Sequence, residues 1–138
     1  MNSASDELCG GAAAVSSDGS RIAQARILLV DDDASLRRLM RDALVLEGYD
    51  VTAAAEPLEA LALAVQEPTY DLLVSDVEMP FLSGPELAES LLALTPQLEL
   101  IFVSGGAGPL RLPPHAVFLQ KPFGLEELLL AVRQALVS

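Results

Sequence analysis

The chain has 138 residues, room for one domain of ordinary size and a tail. Half of it is apolar, enough for a real core, and its net charge is -12, from 20 acidic against 8 basic residues. That balance repels nucleic-acid backbones and anionic lipid surfaces, so neither is expected as a partner. Mean hydropathy is positive, yet no apolar run approaches the roughly 18–20 residues that a spanning helix needs. Met1 to Ser20 lacks the basic and apolar regions of a secretory signal, and the lone Cys9 has no partner within the chain. The cytoplasm is the expected compartment.

Residues 1–24 are Ser, Ala, Gly and scattered charge without periodicity, which predicts a disordered tail ahead of a domain over 25–138. Ile27 to Val30 is a short, wholly apolar run, as in a strand covered on both faces. The next helix carries Leu36, Leu39, Met40, Ala43 and Leu44 on one face, with Arg37, Arg38 and Arg41 largely off it. Asp33 or Ser35 can cap its start, and Gly48 ends it. The exposed arginines are either a solvated basic face or part of a docking surface.

Asp50 to Ala54 is a weaker strand, and Pro57 suits the first turn of a helix with Leu58, Leu61, Ala62 and Val65 inward. Leu72 to Val74 is the third strand. Gly84-Pro85 opens a helix with Leu87, Leu91 and Leu94 inward. Leu98 to Val103 and Ala116 to Leu119 are the fourth and fifth strands. A last helix has the inner stripe Leu125, Leu128, Leu129, Val132 and Leu136. Alternating strands and helices imply an α/β fold with a doubly wound parallel sheet. One crossover breaks the rhythm. The stretch Ser104 to His115 holds three Gly and three Pro, so a loop or a single turn is expected between strands four and five.

In such a sheet the carboxyl ends of all strands share one edge, where ligands bind. Asp31, Asp32 and Asp33 follow the first strand, Ser75-Asp76 ends the third, Ser104 the fourth, and Gln120-Lys121 the fifth. Carboxylates held together repel one another and so stay partly protonated or hold a cation. An oxygen-only set suits Mg²⁺, which keeps waters for a phosphate to replace. A compact ammonium suits a phosphate as a point charge, and Lys121 is the only lysine in the chain. Taken singly, each piece also fits ordinary turn or capping chemistry. His115 is expected to be an exposed loop residue.

Leu29-Val30-Asp31-Asp32-Asp33, Val74 to Pro80 with Gly84 behind it, Ser104, and Lys121-Pro122-Phe123 together resemble the signature of two-component response-regulator receiver domains. The resemblance runs from about Arg26 to Val137. It implies a flavodoxin-like five-stranded sheet of order 2-1-3-4-5, with the helix between strands four and five shortened or missing. It further implies phosphorylation of Asp76 by a sensor histidine kinase or a histidine phosphotransfer protein. Asp31, Asp32, Asp76 and the backbone carbonyl of Glu78 would hold Mg²⁺, and Lys121 would pair with phosphoryl oxygens. Ser104 and Phe118 would be the switch residues. The implied protein is a stand-alone receiver, a monomer or weak dimer, acting on an unknown downstream protein and not as an enzyme beyond chemistry on Asp76. Two alternatives stay open. Asp31-x-Asp33 echoes the nucleophile of haloacid-dehalogenase-like phosphohydrolases, and the fold would also serve as a non-phosphorylated pseudo-receiver.

Overall fold

The computed structural model describes residues 25–106 and 111–137. The expected tail over 1–24 and Cys9 lie outside the described residues. In chain order the elements are β1 (Arg26–Val30), α1 (Ala34–Leu46), β2 (Asp50–Ala54), α2 (Pro57–Gln66) and β3 (Leu72–Asp76), then α3 (Gly84–Leu94), β4 (Glu99–Ser104), β5 (Val117–Gln120) and α4 (Leu125–Val137). The five strands are parallel in the order β2-β1-β3-β4-β5. This is the doubly wound arrangement that the alternating pattern and the resemblance imply. The fourth and fifth strands each sit one residue later than expected. Between β4 and β5 the described residues, 105–106 and 111–116, contain no helix, only a turn at 114–115.

Two apolar layers sandwich the sheet because successive strand residues point to opposite faces. Ile27, Leu29, Val74, Ile101 and Val103 pack with Met40 and Leu44 of α1 and with Leu128 and Val132 of α4. Leu28, Val30, Leu73 and Phe102 pack with Ala60 and Ala64 of α2 and with Leu87 and Leu91 of α3. On this second face Leu112 and Ala116 of the β4–β5 connection also join the layer.

Five expected inward residues turn out differently, exposed Ala62 of α2 among them. In α2 the buried positions are Pro57, Ala60 and Ala64, while Leu58 and Val65 are 55% and 60% exposed. The segment Leu-Ala-Leu-Ala-Val is apolar on every side, so periodicity does not choose a face, and close approach to the sheet selects the alanines. Leu39 of α1 and Leu94 of α3 are likewise exposed.

Local chemistry sets the helix starts. Asp33 caps α1, its Oδ1 accepting from the Leu36 N–H at 3.2 Å. Ser83 and Glu86 form a reciprocal capping box at α3, with bonds of 3.2 and 3.0 Å. Gly48 stops α1 with φ of 99°, where a side chain would be strained.

At the opposite edge of the sheet, Arg26 ties three segments together. Its guanidinium bonds Thr69 Oγ1 and Glu67 (3.3 Å), lies 3.5 Å from Asp50 and sits 4.6 Å above the Tyr70 ring. Each exposed ion pair contributes little, but the ring contact and the buried stem add to them. Arg26→Ala is expected to lower unfolding stability by about 1–2 kcal/mol in urea denaturation, with an unchanged m-value.

Candidate functional site

The strand register delivers the acidic residues to one edge. Val30 pairs with Ala54 and Ser75, Asp76 with Val103, and Ser104 with Gln120. Asp31 therefore emerges beside Asp76. Lys121 is brought to the same place by its N–H bond to the Ser104 carbonyl, at 2.7 Å. A cis peptide bond joins Lys121 to Pro122.

Asp31, Asp32 and Asp76 each place a carboxylate oxygen within 4.8 Å of the others. Asp31 is fully buried, Asp76 is 7% exposed, and Asp32 faces solvent. Lys121 Nζ lies 3.4 Å from Asp76 Oδ2 and 3.5 Å from Asp31 Oδ2. Asp31 Oδ1 accepts from the Asp33 N–H at 2.9 Å, whereas its buried Oδ2 accepts no hydrogen bond. A buried carboxylate oxygen that accepts no hydrogen bond and has only the 3.5 Å ion pair with Lys121, among two more carboxylates, matches the demands of a hard divalent cation.

Burial, reinforced by the Asp76 charge, pushes the Asp31 carboxyl above the ordinary aspartate value, against the pull of the Asp33 N–H and Lys121. Burial alone would lower the Lys121 ammonium. The carboxylates of Asp31 and Asp76 outweigh it and hold Lys121 above its ordinary value. The ammonium is thus charged throughout the physiological range.

The other expected site residues lie around this centre. Ser104 is buried, its Oγ accepting from the Gly106 N–H at 3.1 Å. The Glu78 side chain is exposed, and its N–H donates to Asp76 Oδ1 at a long 3.4 Å. Phe118 is half-buried against the layer that includes Leu112 and Ala116. Asp33 serves as the helix cap and is not in the carboxylate cluster. His115 is exposed, as expected, with φ of 70°.

The backbone of Asp76 is held from behind. Ser75 Oγ donates to the Asp76 carbonyl at 2.8 Å, and the Gly84 N–H closes the loop on Val77 O at 2.9 Å. A Cβ added at Gly84 would stand 2.3 Å from the Asp76 carbonyl oxygen. Glycine is required there for space. Gly84→Val is expected to destabilise the fold by about 1–3 kcal/mol and to displace the loop carrying Asp76, read as a lowered Tm together with altered amide shifts at 76–78.

Sequence reasoning missed one inward group. Arg37, expected on the outer face, donates from Nη1 to the Asp31 carbonyl at 2.8 Å. The available signal was its position four residues after the cap Asp33, because helical side chains lean toward the N-terminus.

A five-stranded parallel sheet of this order, with acids, a hydroxyl and an ammonium gathered at its carboxyl edge, defines the receiver class of α/β domain. The chain belongs to the response regulator receiver domain family, whose profile matches residues 27–133. It is 34% identical over 118 residues to the response regulator receiver protein CpdR of Brucella abortus, covering 82% of this chain and 98% of that one. It is also 34% identical over 115 residues to the C4-dicarboxylate transport transcriptional regulatory protein DctD of Rhizobium meliloti, covering 79% of this chain but only 25% of that protein. A CheY-like receiver structure from Methanospirillum hungatei superposes with a TM-score of 0.75 at 31% identity, covering 83% of this chain and 94% of that one. Among the described residues no helix is long and apolar enough to cross a membrane.

Proposed function

We propose that this receiver accepts a phosphoryl group on Asp76 from the phosphohistidine of a sensor kinase or phosphotransfer protein. The observation that carries the reading is the cluster of Asp31, Asp32 and Asp76 with Lys121 Nζ at 3.4 and 3.5 Å from two of them. An Asp76 carboxylate oxygen bonds to phosphorus while the P–N bond to the donor imidazole breaks, its electron pair returning to the ring. The product is an acyl phosphate. Such transfer is mostly positioning and neutralisation of oxygen charge.

Asp31, Asp32, Asp76 and the backbone carbonyl of Glu78 are the groups proposed to hold Mg²⁺. Bound there, the ion supplies neutralisation of the phosphoryl oxygens. Lys121 already faces both buried carboxylates and is placed to pair with an added phosphoryl oxygen. Ser104 gives up its bond from the Gly106 N–H and offers its hydroxyl to the phosphoryl group. In this proposal Phe118 then turns inward, which biases a two-state arrangement of the β4–β5 connection toward a protein partner. The chain spans from 12% to 98% of the length of the curated relatives it matches, and what it switches downstream is part of the proposal.

Incubation with acetyl phosphate and Mg²⁺, followed by intact mass spectrometry, tests this. One phosphoryl per chain, lost on adding EDTA during loading, is expected. Sustained turnover of a phosphate ester without a stoichiometric label would instead support the phosphohydrolase reading, and neither label nor turnover would support the pseudo-receiver.

A further inference from the structure

We infer that Arg37 is a positioning residue for the acidic cluster, holding the β1–α1 turn in the shape that aims the Asp31 and Asp32 carboxylates. This rests on the Mg²⁺ reading above. The turn is held at both of its polar ends. The Asp33 N–H binds Asp31 Oδ1 at 2.9 Å, and the Arg37 guanidinium reaches back from α1 to the Asp31 carbonyl at 2.8 Å. Arg37 is half-buried, whereas Arg38 and Arg41 on the same helix are exposed and Arg41 pairs with its neighbour Asp42 at 3.1 Å. One arginine of the three is thus committed inward.

The physical need is plain. Three consecutive aspartates, two of them clustered with Asp76, repel one another, and a free turn relaxes by spreading them. A bond from a helix already anchored through Met40 and Leu44 opposes that spreading. Groups behind the ligands of a metal site set ligand orientation in this way.

The alternative role predicts the opposite sign. A guanidinium that is merely a neighbouring cation competes with Mg²⁺, so its removal strengthens binding. A positioning guanidinium strengthens binding by its presence. Mg²⁺ titrations of metal-free full-length wild type, Arg37→Gln and Arg37→Lys, followed by amide NMR shifts at pH 7, separate the two. Arg37→Gln is expected to weaken Mg²⁺ affinity about 10-fold. Arg37→Lys, which keeps one donor and the charge, is expected to recover most of it. Melting temperatures in EDTA, measured alongside, report any general loosening, which would leave Mg²⁺ affinity unchanged in folded protein.

Unchanged or tighter Mg²⁺ binding by Arg37→Gln would overturn the inference, as would Lys behaving no better than Gln. Wild type that takes up no Mg²⁺ would overturn the metal reading and this inference with it. Uptake by wild type with no weakening in Arg37→Gln would overturn this inference alone.

Discussion

Asp76→Asn is expected to remove the phosphoryl label from the protein completely, while the variant folds and melts close to wild type. The amide oxygen is a poor nucleophile toward phosphorus, and the shape of the side chain is kept. The nearby Asp32 and Asp31 do not substitute on this reading. Asp31 is fully buried behind the centre, and Asp32 hangs from a different strand end with no lysine within ion-pair distance among the described residues. Lys121→Ala is expected to retain some labelling at a rate lower by a factor of about 10²–10³, the effect of removing one preorganised charge. Equal labelling of wild type and Asp76→Asn in the mass spectrum would overturn the assignment of the acceptor.

The second large effect is one of stability, and it opposes function. Asp31→Asn is expected to make the metal-free protein more stable by on the order of 1–3 kcal/mol near pH 7, the scale of an unsatisfied buried polar group. On the proposed Mg²⁺ reading it is also expected to abolish the further stabilisation that Mg²⁺ would give the wild type. The groups facing Asp31 are Asp32, Asp76, Lys121 and the Asp33 N–H. Burial raises the folded-state value of Asp31 above its unfolded value of 3.8. A group raised on folding contributes stability that is full below its unfolded value and is lost as pH rises through the folded one. The advantage of Asp31→Asn over wild type in EDTA should therefore be largest near neutrality and shrink as pH falls toward 4. Denaturation midpoints of both proteins across pH 4–8 measure it, and a constant gap would refute the account.

Most of the frame and most of the centre were legible before any coordinates. Apolar runs such as Ile27 to Val30 and Leu72 to Val74 mark strands because a doubly covered strand tolerates little else. Once the strands are ordered, Asp31, Asp76, Ser104 and Lys121 must share an edge, since each directly follows or ends one of them. Among the described residues the Gly- and Pro-rich crossover was equally readable, holding no helix.

What escaped the sequence depends on packing distances that no period encodes. The buried side of α2 is such a case, because the choice between Leu58 and Ala60 depends on how closely the helix approaches β1 and β2. Gly84 appears in the sequence as a helix opener, and only the Asp76 carbonyl oxygen, 2.3 Å from where a Cβ would stand, explains why nothing larger fits. Arg37 looks like one of three surface arginines until its reach to the Asp31 carbonyl is seen. Arg26 likewise looks like a strand-opening charge, although it binds three segments at the far edge.

The uneven exposure of the three acids has a consequence for traffic through the site. On the proposed reading, with Asp31 sealed and Asp76 nearly so, a cation, a donor imidazole and a hydrolytic water would all come in past exposed Asp32. Loading and loss of the phosphoryl group would then share one doorway. A protein seated over it would lengthen the life of the signal by keeping water out, so the listener would also become the timekeeper.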